Sequence, residues 1–383
     1  MSETALAMTQ ATEHTQSIYK GVNDTSPIKE KNAELLSDDV AHLVMQVLMF
    51  YATPTISVLG ITGNVFSMII LLKHGLHKCS NILLFCLAVS DTTFLVAFNN
   101  VPKILNEVTG VPMAWAYSRQ AAHASYVFYT FFHIVDYAVG SSSLAIPMLI
   151  TMERLVAVYF PMKFSVIVTP FRTWSAVAIV YAYWLVVYIY SSFWFEFQYK
   201  YDLKLNISMG IIGLSDRYYE EVEVSKALDE VIRYLTLKIP PCFTLVGCIL
   251  ISVKIKLASV KRQKMTSAGA AKDAKSNRTS KMLLAVCTMY TVTCGILTLP
   301  TYLPQYGYYT MTGDAPNNVG KIGYQVVNMV LCINGSCNFI VYVGMNKNFR
   351  DTWKSLFTRC RFKRKPAPHS QKGQAQKRFE FKN

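Results

Sequence analysis

Seven apolar runs dominate this chain, each about as long as the ~20 residues a helix needs to cross the hydrocarbon core of a bilayer. They cover 48–72, 82–102, 125–152, 173–195, 234–253, 282–305 and 322–344. A backbone inside hydrocarbon must satisfy its own N–H and C=O groups, which restricts it to helices or closed barrels. Runs this long and this continuous predict helices. The expected fold is an all-α membrane protein, a seven-transmembrane helix bundle with a short amphipathic helix after the seventh span. Residues 1–47 read as an extracellular polar tail and 48–344 as the bundle. Residues 345–360 read as a helix on the inner membrane surface, and 361–383 as a basic cytoplasmic tail. Only 16% of residues are charged, against ~25% in soluble domains. No connection is long enough for a second domain.

The net charge of +15 would suit nucleic acid if it were spread over one surface. It is sorted by loop instead. The amino-terminal tail and even-numbered loops carry 11 Lys/Arg against 17 Asp/Glu, while the odd-numbered loops and carboxyl tail carry 26 against 4. Basic residues mark the cytoplasmic side, so the amino terminus lies outside and a nucleic-acid partner is disfavoured. The polar start, Met1 to Asp39, lacks the pattern of a cleavable signal, and the first span is expected to act as signal anchor. Of four glycosylation sequons, topology selects Asn23 and Asn206. Nine cysteines are present, none between Leu87 and Pro241 and none in an expected extracellular segment, so no extracellular disulfide is expected.

The longest outer connection, 196–233, is acidic, and Tyr218 to Glu230 reads either as a short amphipathic segment or as a solvated loop. The inner loop 254–281 is basic and rich in small residues, and is expected to be mobile. After the seventh span, Phe349, Trp353, Leu356 and Phe357 share one face at helical spacing, which suits contact with membrane lipid. Cys360 follows in a basic context, either as a palmitoylation site or as a free thiol.

Charged residues inside or at the end of apolar spans are expensive and therefore informative. Glu153 and Arg154 end the third run on the basic side, Asp91 lies within the second, and Asp136 and Lys238 lie in the third and fifth. Asp136 precedes Arg154 by 18 residues, ~27 Å along a helix at ~1.5 Å per residue. That depth is the outer third of a bundle. Lys238 lies at similar depth, so the two either pair with each other, contact a ligand, or do both.

Gly63-Asn64-Val65, Leu87-Ala88-Val89-Ser90-Asp91, Glu153-Arg154, Trp184, Pro240 or Pro241, Pro300, Asn338-Phe339-Ile340-Val341-Tyr342 and Phe349-Arg350 follow one another span by span. In that order they resemble the rhodopsin-like (class A) G-protein-coupled receptors over about 48–360. The Asn-Phe-x-x-Tyr string in span seven is similar to invertebrate receptors for FMRFamide-like neuropeptides. The resemblance implies that Glu153, Arg154, Asn338 and Tyr342 serve coupling to a heterotrimeric G protein, with arrestin as a further partner. It implies that Asp91, Ser143, Asn334 and Asn338 surround a sodium ion, the alternative being a hydrogen-bonded polar knot without one. No other cofactor is implied.

For the ligand, the resemblance points to Asp136, Lys238, Tyr302, Gln305 and Asn328 at the outer end. Family receptors for amines place an aspartate at the position of Asp136. The acidic outer face and long entry loop favour a peptide of FMRFamide-like type, with a biogenic amine or other small chemosensory ligand as the alternative. Two departures stand out: Tyr129 occupies the position of the family's span-three cysteine, and Thr298 that of the span-six tryptophan. Span seven has no lysine for retinal. Paired inverted repeats of a transporter are missing, and His74, His77, His123 and His133 form no catalytic set, so an enzyme is not expected.

Overall fold

The computed structural model describes residues 37–99, 114–115, 119–202, 207–263, 284–297 and 318–362. Span one is a single rod of α1 (Asp38–Gln46), a π-helical segment (Val47–Ala52) and α2 (Thr53–His74). Gly75 ends it at φ 84°, a left-handed conformation that glycine adopts at little cost. Span two is α3 (Cys79–Phe98), and span three is α4 (Arg119–Tyr159), preceded by the short strand β1 (Ala114–Trp115). After the short α5 (Phe164–Ile167), span four is α6 (Pro170–Ser192). Pro170 opens that helix where its missing N–H costs nothing, and the Thr169 hydroxyl caps it by accepting from the Arg172 N–H at 3.3 Å.

The outer connection holds a hairpin, β2 (Phe195–Asp202) and β3 (Ile207–Leu214), followed by α7 (Asp216–Glu220) and α8 (Val222–Arg233). From α8 the chain passes through a second π-helical segment (Tyr234–Lys238) into α9 (Ile239–Gln263), completing span five. The described part of span six is α10 (Leu284–Leu297). Span seven is α11 (Asn318–Met345), and α12 (Lys347–Phe362) follows it. Six of these rods are long and apolar enough to cross a membrane, and α10 is the shorter apolar seventh.

The seven-helix bundle therefore stands, with changes at its ends. The third helix runs on to Tyr159, so Glu153 and Arg154 sit within it rather than at its end. The acidic stretch Tyr218 to Glu230 is helical and extends span five outward, where Arg217–Glu221, Lys226–Glu223 and Arg233–Glu230 pairs stabilise it at i,i+3 and i,i+4 spacing. The chain is not purely helical. β3 lies between β1 and β2, all antiparallel, with Phe195 opposite Leu214 and Asp202 opposite Ile207. The alternation Phe195-Glu196-Phe197-Gln198-Tyr199 explains it, because the aromatic positions are half-buried while Glu196 and Gln198 face solvent.

Small residues set the closest helix approaches. A Cβ on Gly60 would overlap the Ser336 side chain, and one on Gly63 would come 2.9 Å from the Cβ of Phe339. Without water to exclude between helices, this close packing supplies much of the attraction between spans one and seven. Replacing Gly60 with valine should therefore destabilise the bundle by ~1–3 kcal/mol through overpacking. Thermal unfolding of the purified protein in nanodiscs reads this directly, and an unchanged midpoint would refute the seam.

Candidate functional site

The residues singled out by chemistry fall at three levels of the bundle. At the inner level Glu153 and Arg154 form an ion pair, Arg154 Nε to Glu153 Oε2 at 2.9 Å. Adjacent helical residues point about 100° apart, so both side chains bend toward span two. Ser80, at the start of α3, holds them there. Its hydroxyl donates to Glu153 Oε1 at 2.9 Å and accepts from Arg154 Nη2. With side chains only 5% and 16% exposed, the pair is not a solvent-screened surface contact of small value.

Tyr342 of span seven is 1% exposed, with a hydroxyl that has no partner among the described residues. Its ring packs edge-on against Phe349 of α12 at 5.5 Å. Phe339 sits one turn above it, in the space left by Gly63. Its ring meets Phe66, Phe349 and Trp353 at 6.2, 6.1 and 6.0 Å, binding span one, span seven and the amphipathic helix into one aromatic cluster. Arg350 seals the corner between α11 and α12 by donating to the carbonyls of Val343 and Gly344.

At the middle level Asp91 is 1% exposed. One carboxylate oxygen accepts from the Ser143 hydroxyl of span three, the other from Asn338 Nδ2 of span seven at 2.7 Å. Asn334 is turned away, its amide oxygen accepting from Thr293 of span six at 3.0 Å. Asn64 donates to the Gly335 carbonyl at 2.8 Å and leaves its own Oδ1 buried without a partner among the described residues. Among the described residues no three His, Cys, Asp or Glu side chains converge as a metal set. Of the described groups contacting Asp91 only Ser143 offers an oxygen, a hard ligand unlike the nitrogen and sulfur of a transition-metal set.

At the outer level Asp136 is 3% exposed. Beside it an aromatic ladder descends span three, Tyr129 to His133 at 5.6 Å and His133 to Tyr137 at 4.5 Å. It continues across to Tyr188 of span four at 5.5 Å, whose hydroxyl meets Ser141 Oγ at 3.0 Å. Among the described residues no ion pair joins Lys238 to Asp136, and its Nζ lies 3.8 Å from the Tyr234 ring centroid. The π-helical segment rotates Tyr234 and Lys238 relative to a regular helix, which a depth count along the chain does not register. Asn328 of span seven is buried, and its Nδ2 has no partner among the described residues. Asn23, Asn206, Thr298, Pro300, Tyr302 and Gln305 lie outside the described residues, and of Cys360 only the backbone is described.

A polar knot missing from the sequence expectations closes the outer end of span four. Glu221 Oε2 accepts from Trp194 Nε1 at 3.0 Å and from the Tyr190 hydroxyl at 2.9 Å, while Arg217 pairs with Oε1 at 3.0 Å. These donors, Trp194 first, then Tyr190 and Arg217, hold the Glu221 carboxyl below its ordinary range. The knot's stability is thus complete above the ordinary glutamate pKa and is lost only as pH falls through the lowered one. Glu221 as an anchor had one sequence signal, a tryptophan at the end of an apolar run that runs on into an acidic connection.

Residues 51–360 match the family described as serpentine type 7TM GPCR chemoreceptor Srw. A probable G-protein-coupled receptor of Caenorhabditis elegans is 23% identical over 255 residues, 65% of this chain and 52% of that protein. The FMRFamide receptor of Drosophila melanogaster is 25% identical over 327 residues, 81% of this chain and 53% of that receptor. The histamine H2 receptor of Rattus norvegicus is 23% identical over 336 residues, 87% and 85% of the two chains. The chain thus spans about half the length of the first two relatives.

The middle level gives a direct stability test. Ser143→Ala and Asn338→Ala each leave one oxygen of a buried carboxylate unsatisfied, at an expected cost of ~1–3 kcal/mol. Combined with Asp91→Asn, the cost of Ser143→Ala should shrink, because the unsatisfied charge is gone. Thermal melts of the four variants test this; an equal cost in both backgrounds would show that Ser143 does not act through Asp91.

Proposed function

The chain belongs to the Srw family of serpentine seven-transmembrane G-protein-coupled receptors, and from that premise we propose that its ligand is an FMRFamide-like neuropeptide. As a family member it is a multi-pass receptor of the plasma membrane and not an enzyme. The observation carrying the peptide reading is the acidic helical wall that α7 and α8 add above span five. Three of its acids are taken by Arg217, Lys226 and Arg233. Asp216, Glu220 and Asp229 are exposed and form no ion pair with the described residues. Such a wall attracts a cationic ligand over distances beyond contact, and a peptide carrying arginine supplies that charge. One observation favours a second reading: a buried carboxylate in the outer third of span three also suits a small amine.

The inner level supplies the output. In this reading Ser80 and Glu153 hold Arg154 until the helices separate on the cytoplasmic side, and Arg154 then meets the G protein. Arrestin would dock on the same side after activation. The middle level supplies restraint: Asp91, with Ser143 and Asn338, would hold a sodium ion that favours the closed arrangement. Two sequence expectations enter only as proposals, glycans at Asn23 and Asn206 and a palmitoyl group at Cys360.

Cells expressing the protein, with calcium or cyclic-nucleotide readouts, should respond to amidated FMRFamide-type peptides and not to histamine or other biogenic amines. Neutralising Asp216, Glu220 and Asp229 together should slow peptide association by about tenfold at low salt and much less at high salt. Activation by amines alone, abolished by Asp136→Asn, would sink the peptide reading in favour of the second one. Ser80→Ala should raise basal signalling a few-fold, whereas Arg154→Ala should remove signalling and leave ligand binding intact. Unchanged output from both would reject the proposed role of the inner knot.

A further inference from the structure

The sequence offers the outer hairpin no covalent attachment, since no cysteine occurs between Leu87 and Pro241. The hairpin nevertheless lies against span three, and aromatic rings make that contact. Tyr126 stacks on Phe197 with centroids 4.8 Å apart and planes 17° from parallel. Phe197 meets Tyr199 edge-on at 5.0 Å. Tyr129, 7% exposed, is enclosed by Tyr126, Phe197, Tyr199 and Ile212. Tyr126 and Tyr129 are one helical turn apart on α4, while Phe197 and Tyr199 are two residues apart on β2. Two periodicities, one helical and one extended, thus bring these four rings together, with His123 meeting Phe197 edge-on at 5.6 Å at the margin.

We propose that these four rings form a noncovalent clasp that seats the hairpin on span three and so positions it beside the ligand's route into the bundle. Tyr126, Tyr129, Phe197 and Tyr199 are positioning residues in this account. The hairpin's base is fixed independently. Ser215 donates its N–H to the Trp194 carbonyl at 2.9 Å, and the Trp194 indole is held by Glu221. With its base fixed, and its face held by these rings and by the short β1 ladder, the hairpin can move off span three without any covalent bond being broken. Each aromatic pair contributes only ~0.5–1.5 kcal/mol beyond its buried area, which makes the clasp releasable where a disulfide would not be.

The clasp itself does not depend on ligand identity, whereas its consequence for binding rests on the peptide reading. Hydrogen exchange of the β3 amides in full-length receptor, in nanodiscs without ligand, isolates the first. Tyr126→Ala and Phe197→Ala should each speed exchange on the order of tenfold, the scale expected for one well-packed aromatic pair. The double variant should exchange no faster than the more affected single, and Tyr126→Phe should retain wild-type protection. The global unfolding midpoint should not move, because the hairpin opens locally. Unchanged exchange in both single variants, multiplicative effects in the double, or a parallel fall in the global midpoint would each overturn the clasp. The second arm uses the tetrapeptide FMRFamide: Tyr126→Ala should speed its dissociation and Tyr126→Phe should restore it. If wild-type receptor does not bind this peptide, the ligand reading fails while the exchange arm still decides the clasp.

Discussion

The bundle is organised around a carboxyl group that has nowhere to go. Asp91 lies inside a span where water cannot reach it, and an unsatisfied carboxylate there would cost several kcal/mol, more than most pairs of packed side chains contribute. Ser143 and Asn338 satisfy it from two other helices. Spans two, three and seven are therefore placed by one polar demand, and Thr293 brings span six to the same level through Asn334. Apolar packing in lipid discriminates poorly between rotations of a helix about its axis. A polar knot discriminates sharply, because a wrong rotation leaves an oxygen bare.

Away from that level the helices are set by shape. Gly60 and Gly63 let span one approach span seven, and the space at Gly63 is filled by the Phe339 ring. Phe339 stands in a helix, Asn318–Met345, that continues without a break. Span seven and the amphipathic helix are joined by rings rather than by a hinge. Movement at one is expected to carry the other with it.

Much of this could be read in the chain. Hydrocarbon admits few structures, so length and continuity of the apolar runs were enough to predict the helices and their order. The cost of intramembrane charge picked out Asp91, Asp136, Glu153 and Arg154, all of which are buried or nearly so. What could not be read has physical causes. Ser80 is an ordinary residue type whose role comes from two long side chains reaching it across a helix gap. The π-helical segment Tyr234–Lys238 was not legible either, because nothing in its residue types sets it apart from a regular helix. The period-two pattern of Phe195 to Asp202 was present, but it directly follows an apolar span and blends into its end. Helix ends were the least legible, since ion pairs and caps extend them into polar sequence.

The extracellular side of this receptor is built from stacking rings and the Glu221 knot rather than from oxidised sulfur. Its folding therefore asks nothing of the redox state of its surroundings. The contacts described for the outer side need no oxidising compartment to form. Contacts made by acids and aromatics place no demand on a matched pair of cysteines in the outer loops. In a family of chemical sensors, that leaves more of the outer surface open to change.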